Sequence, residues 1–238
     1  MLIGIKRKLK LNNSEVTYFR KCSEYARFVW NYIYDMMLGV KDDNTSCSKK
    51  LDAIKKIFTN HVKNSSQYSW IESDGYPSMI YQMEFKFYSA AMSDFFKGLK
   101  NPPSRKCISN GRSFTTYSGN GTTLPGIEKY ETLDKFGNIL NAYKKIKVPG
   151  LGTLRLQEHI VDLYPGFELI SQTFTISESA DGWYVSFNVE VDSSKLLDYK
   201  KKKFESDNNI FNAIDVLGCD LGVKTFCVGK DRDGNKGL

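Results

Sequence analysis

The stretch Asp181-Gly182-Trp183-Tyr184-Val185-Ser186-Phe187-Asn188-Val189-Glu190-Val191 decides the fold. Its large apolar residues, Trp183, Val185, Phe187, Val189 and Val191, occupy every second position, which puts all five on one face of a strand. Asp181-Gly182 is a tight-turn signal, and Leu169 to Ile176 ahead of it reads as a partner strand with Ile170, Phe174 and Ile176 inward. Further out, Ile146-Lys147-Val148, a turn at Pro149-Gly150-Leu151-Gly152 and Thr153 to Leu156 form a second hairpin-like unit. At the other end of the chain Ile3, Ile5, Leu9 and Leu11 alternate with Lys6, Lys8 and Lys10, giving a strand with one buried and one basic face. The expectation is that Ile3 to Leu11 pairs with a strand from the 145 to 191 region, with helices inserted between them.

Those helices are legible from spacing. Asn12 begins the first, with Glu15 three positions on as a capping box requires. Val16, Phe19, Ala26, Val29, Ile33 and Met37 form its apolar stripe, and it should end near Gly39. A shorter helix is expected around Leu51, Ile54, Ile57 and Phe58. Ser78 is placed to cap a third, with Ile80, Met83, Phe87, Ala91 and Phe95 as its stripe and Asn101-Pro102-Pro103 as its stop. The Ser-, Thr- and Gly-rich stretch from Ser104 to Gly126 reads as loop and short strands. A charged linker at 195–209 divides it all from a last β segment, Ile214 to Val228. Asp233-Gly234 beyond it is a turn that expects a further strand.

The chain has 238 residues, 41% hydrophobic and 26% charged, enough for real cores. Its 34 Lys and Arg outnumber 27 Asp and Glu, and the formal charge of +7 favours a phosphate-backbone partner. Five scattered cysteines without a CxxC pair indicate neither a zinc knuckle nor a disulfide framework, and His61 and His159 join no metal constellation. Met1 to Ile5 runs at once into Lys6-Arg7-Lys8, leaving no room for a signal peptide, and no apolar run reaches bilayer-spanning length. A cytoplasmic protein without membrane partners is expected.

Gly218-Cys219-Asp220-Leu221-Gly222-Val223-Lys224-Thr225-Phe226 puts one acid inside an apolar strand. Such an acid must be paired, protonated or bound to a metal, because an isolated buried charge is very costly. Three readings of Asp220 stand side by side: a ligand of two Mg²⁺ ions in a nuclease, the aspartate before the phosphate hairpin of an actin-like or sugar-kinase ATPase, and a structural acid at a strand end. Lys224 reads as a phosphate contact or a solvated lysine.

The order of motifs resembles the TnpB family, the OrfB proteins of insertion sequences related to compact type V CRISPR nucleases. Ile5-Lys6-Arg7-Lys8-Leu9-Lys10-Leu11 and Ala26-Arg27-Phe28-Val29-Trp30-Asn31 resemble the family's basic first strand and first helix. Ala91-Met92-Ser93-Asp94-Phe95-Phe96, Pro103 to Lys106 with Ser113-Phe114, Lys147 to Gly152, and Gly182 to Phe187 are similar to its later segments. The 218 to 226 stretch resembles the first catalytic motif of its RuvC-like nuclease. The resemblance implies an α+β fold: a wedge-type, OB-like β barrel made of 1–11 and 101–194, interrupted by a helical recognition insertion at 12–100. After the linker at 195–209, residues 210–238 would be the first strands of an RNase H-like RuvC domain.

The function implied is that of an RNA-guided DNA endonuclease, with guide RNA and target double-stranded DNA bearing a short flanking motif as partners. Asp220 would be the catalytic, Mg²⁺-binding carboxylate. The family's other two carboxylates and a Zn²⁺-binding four-cysteine ribbon are expected beyond Leu238, so these residues alone should not cut DNA. The alternative is a nuclease-inactive nucleic-acid-binding module or RNA-guided repressor, and the ATPase stands third.

The basic residues supply the candidate nucleic-acid contacts. Lys6, Lys8 and Lys10 with Arg7 form a phosphate-tracking stripe on the first strand, or else a solvated edge. Arg20, Lys21 and Arg27 extend it along the first helix, and Asn31 lies one turn from Arg27, where it either shares a nucleic-acid strand or makes a local hydrogen bond. Arg105, Lys106 and Arg112 follow the long helices. Among Trp30, Tyr32 and Tyr34 at least one ring should be core.

Overall fold

The computed structural model describes residues 2–39, 45–123, 129–133, 137, 139–161, 170–192, 218–220, 228–230 and 236–237. The chain divides into two compact units, one of residues 2–163 and 167–190, the other mainly 191–238.

The first unit holds two open antiparallel sheets and a group of helices. One sheet has four strands, β1 (Leu2–Lys8), β7 (Gly182–Glu190), β6 (Ile170–Ser179) and β2 (Ser113–Thr123), in that spatial order. The other runs β3 (Lys129–Leu133), β4 (Ile139–Val148), β5 (Gly152–Val161). The expected long-range pairing is present: Ile3 faces Val189 and Ile5 faces Phe187. The hairpin over 170–190 forms with the expected residues inward: Phe174 lies opposite Phe187 and Ile176 opposite Val185, and all four side chains are buried. The 149–152 turn also joins two strands, Val148 opposite Gly152.

The OB-like barrel is not formed. Neither sheet closes on itself: β1 and β2 are the two edges of the four-stranded sheet and do not pair with each other. The apolar face finds its cover elsewhere. Helix α1 (Asn13–Gly39) lays Phe19 across it, edge-on to Phe114 of β2 and Trp183 of β7, with ring centroids 5.7 and 5.6 Å away. A sheet whose hydrophobic face is covered by a helix has no need to curl over it, whereas a barrel needs every edge strand to find a partner at a matching stagger. Among the described residues one isolated bridge just past β1 joins the two sheets, Leu9 opposite Leu156, with Leu9 N–H donating to the Trp183 carbonyl (2.8 Å) and Lys10 N–H to the Arg155 carbonyl (2.9 Å).

Helix α1 starts as its sequence requires. Glu15 N–H donates to Asn12 Oδ1 at 2.9 Å while Asn12 N–H donates to Glu15 Oε2 at 2.7 Å, the reciprocal pair of a capping box. Phe19, Ala26, Val29, Ile33 and Trp30 are buried, the last meeting the expectation that one ring of that trio is core. α2 (Cys47–Ile57) continues as a π turn over Phe58–Val62; the short α3 (Ser69–Ser73) precedes α4 (Ser78–Phe96).

Three details of α4 differ from expectation. Pro77, not Ser78, holds the N-cap position. The buried residues are Ile80, Tyr81, Met83, Glu84, Phe85 and Tyr88, while Phe87 and Phe95 are exposed. Steps of four residues rotate about 40° per step on a helix of 3.6 residues per turn, so a stripe read at fours winds off the buried face. The helix ends before the prolines: Leu99 N–H reaches the Asp94 carbonyl and Gly98 N–H the Phe95 carbonyl, both at 2.9 Å, with Gly98 at φ 71°. That left-handed glycine stop satisfies the last carbonyls without any proline. The region read as loop and short strands contains β2, an eleven-residue strand.

In the second unit β8 (Gly218–Asp220), β9 (Val228–Lys230) and β10 (Lys236–Gly237) form a three-stranded antiparallel sheet, β9 in the middle. Lys236 opposite Lys230 is the strand expected after Asp233-Gly234. The linker at 195–209 lies outside the described residues.

Candidate nucleic-acid interface

Most cations singled out by sequence are held by acids inside the fold. Glu178, near the end of β6, takes Arg20 of α1 on one carboxylate oxygen at 2.9 Å and Arg112, just before β2, on the other at 2.8 Å. Burial pushes the Glu178 carboxyl up, but the hydrogen bonds from Arg112 and Arg20 outweigh it and hold the group below the usual carboxylate range. At the hairpin turn Asp181 accepts from the Tyr184 hydroxyl at 2.6 Å and from Lys8 at 3.0 Å, which lowers its carboxyl and pushes the Tyr184 hydroxyl up to about 12. Lys21 pairs with Asp74 at 2.9 Å, and Asp74, also bound by Tyr76, is likewise lowered.

The segment between α4 and β2 is fastened to α1 and α4 by a second cluster. Asn31 Nδ2 donates to the Lys106 carbonyl (2.9 Å) and Lys106 N–H donates back to Asn31 Oδ1 (2.8 Å). Trp30 Nε1 donates to the Ser104 carbonyl at 2.8 Å, and Arg105 pairs with Asp35 at 3.0 Å. Lys106 Nζ lies 3.0 Å from Glu84, whose side chain is only 4% exposed, and 4.1 Å from the centre of the Trp30 ring. Burial raises the Glu84 carboxyl while Lys106 pulls it the other way. Asn31 therefore makes the local hydrogen bond and is not free for a strand of nucleic acid.

On β1 the stripe is not one face. Lys6 and Lys8 point to the open side, Lys6 over the Tyr184 ring at 4.4 Å, whereas Arg7 shares the parity of Ile5 and Leu9 and is half-buried. Arg7 donates to the Lys6 carbonyl at 2.9 Å and to the His159 carbonyl at 3.4 Å. Lys10 is exposed and Arg27 half-buried; neither side chain enters an ion pair with the described residues. Lys224 lies outside the described residues. Asp220 is placed by its backbone at the end of β8, opposite Val228. Among the described residues no group of three or more His, Cys, Asp or Glu is placed to hold a metal.

Sequence reasoning missed a cationic face on the helices. Leu51 and Ile54 turn α2 inward, which leaves Lys49 and Lys56, two turns apart, on its opposite side and exposed. Lys55 of α2 and Lys86 of α4 line a groove of about 180 Å³ between the two helices, with Ser48, Asp52 and Gln82. Lys49, Lys55, Lys56 and Lys86 enter no ion pair among the described residues. Attraction of Lys55 and Lys56 to the helix C-terminus accounts for those two positions but not for Lys49 or Lys86. The signal was in Lys49-Lys50-Leu51-Asp52-Ala53-Ile54-Lys55-Lys56, where four lysines face one acid.

No known family model and no curated protein matches the chain.

Proposed function

We propose that this chain is the nucleic-acid-binding portion of an RNA-guided DNA endonuclease of the transposon-associated type. The observation that carries the reading is the unneutralised face of α2 and α4. Lys49 and Lys56, seven residues apart on α2, present two positive charges about 10.5 Å apart along the helix axis. The cations bound to Glu178, Asp181, Asp74, Asp35 and Glu84 hold the fold together and leave this face to meet the phosphates. The formal charge of +7 and the order of sequence motifs support the same reading.

Two-metal cleavage needs several carboxylates around both ions. Asp220 is the one this reading assigns, as a Mg²⁺ ligand, and the described residues supply no cluster around it. Mg²⁺ would activate water and stabilise the leaving oxygen when bound.

The test is binding of structured RNA and of duplex DNA at rising salt. Each phosphate neutralised contributes about 0.7 to 0.9 to the log–log slope. The Lys49→Ala/Lys55→Ala/Lys56→Ala variant should lose about two units of slope for the preferred ligand. A slope identical to that of the parent chain, or no salt-dependent binding at all, overturns the reading.

A further inference from the structure

The groove between α2 and α4 does not end at Lys55 and Lys86. Ser48 and Ser89, which line it there, also line a second depression of about 310 Å³ toward the end of α4, with Met92, Ser93, Phe96 and Lys97. On α4 the lining residues Gln82, Lys86, Ser89, Ser93, Phe96 and Lys97 recur at steps of three and four with one adjacent pair, so they share one stripe of the helix. That stripe is about 22 Å long at 1.5 Å per residue and carries no acid. Its far end is costly for a folded chain. No residue of α4 after Tyr88 is buried, and Phe96 is 66% exposed, its ring 5.5 Å from that of Phe95. Lys97 beside it enters no ion pair among the described residues, and the exposed Ser89 and Ser93 have no hydrogen-bond partner among them. Asp94, the nearest acid along the helix, is already held by Lys100 at 2.7 Å.

We propose that the Phe96 end of this groove is a single-strand site, where a base of an unpaired RNA stretch stacks on the Phe96 ring and its phosphates follow Lys97, Ser93 and Ser89 toward Lys86. The site deepens the nucleic-acid reading above and rests on it. Charge and surface together select this occupant. An unpaired strand alone offers bare base faces to an aromatic ring and phosphates to the cations beside it. A duplex keeps its base faces inside its own stack, so it can use the lysines but not Phe96. A second copy of this chain would set unmatched lysines against unmatched lysines. An apolar helix laid in the groove would meet the hydroxyls of Ser48, Ser89 and Ser93 between the ring and Lys86, where it needs apolar floor; sugar and phosphate oxygens accept from those hydroxyls.

The experiment compares the full chain with Phe96→Leu, Phe96→Trp and Lys97→Ala on a single-stranded RNA 12-mer and on a blunt RNA duplex of the same sequence. Phe96→Leu keeps an apolar side chain but removes the π face, and should weaken single-strand binding by about tenfold at unchanged salt slope. Phe96→Trp should bind the single strand at least as well as the parent. Lys97→Ala should lower the single-strand slope by about 0.7. Duplex binding should be the same for the parent and both Phe96 variants. Both positions are exposed, so the variants keep the fold. Parent-like single-strand binding by Phe96→Leu, or an equal loss on the duplex, overturns the site while leaving the lysine face of α2 and α4 intact. Self-association of the parent that Phe96→Leu abolishes, with single-strand binding unchanged, overturns it in favour of a contact between copies. Failure of the parent chain to bind either RNA overturns both readings.

Discussion

Two sets of basic residues in this molecule look alike in sequence and differ in their surroundings. Arg20, Lys21, Arg105, Lys106 and Arg112 each have a carboxylate oxygen within 2.8 to 3.0 Å, supplied by another part of the chain. Lys49, Lys55 and Lys56 share one helix with a single acid, Asp52, and have no such partner among the described residues. A cation already matched to an acid gives little more by meeting a phosphate, since one attraction replaces another. An unmatched cation gains the whole of it and releases a counterion. The first set should therefore govern stability and the second binding.

The largest test is Lys106→Ala. It leaves Glu84 buried without its cation, and breaking such a pair from one side should destabilise the fold by about 3 kcal/mol in urea unfolding. RNA affinity of the folded fraction should change less than twofold; a large loss would move Lys106 into the binding set. Next, Asn31→Ala removes two hydrogen bonds to the Lys106 backbone and strands a half-buried N–H, at a cost of about 2 kcal/mol. Equal stability of variant and parent would break the view of Asn31 as a fastener.

Glu178→Gln should cost about 1 kcal/mol at neutral pH. Its folded-state carboxyl lies below the ordinary value, so its contribution is complete above the unfolded-state pKa and disappears as pH falls through the folded one. The gap in melting temperature between parent and variant should close on acidification below about pH 4. A gap that widens there would mean the sign is wrong. The smallest stability effect belongs to Lys49→Ala/Lys55→Ala/Lys56→Ala, expected to change unfolding by no more than about 0.5 kcal/mol while removing most of the salt-sensitive binding.

What could be read ahead of the structure was local. The Asn12–Glu15 cap, the hairpin from Ile170 to Glu190 and the pairing of the first strand all follow from neighbouring residue types and alternation. Barrel closure was not legible, because it depends on what covers the apolar face, and Phe19 lies some 160 residues from Trp183. The site divided in the same way. Residue type marked Arg20 and Arg112 as cations, but only the fold brings both to Glu178. Parity along β1 set Lys6 and Lys8 on the face opposite Ile5 from the start; only Arg7, which shares the parity of Ile5, was grouped with the lysines by its charge.

The pairing of β1 with β7 also sets an order of events during synthesis. Ile3 leaves the ribosome early, yet its partner Val189 is made almost at the end of the described unit. At about 5 to 20 residues per second the first strand waits roughly ten to forty seconds with its hydrogen-bonding edge open. Helix α1 can form at once, but Trp183, one wall of the Phe19 contact, arrives just as late. The alternation of Lys6, Lys8 and Lys10 through that strand is then protection during the wait: charges along a bare edge discourage other chains from adding to it.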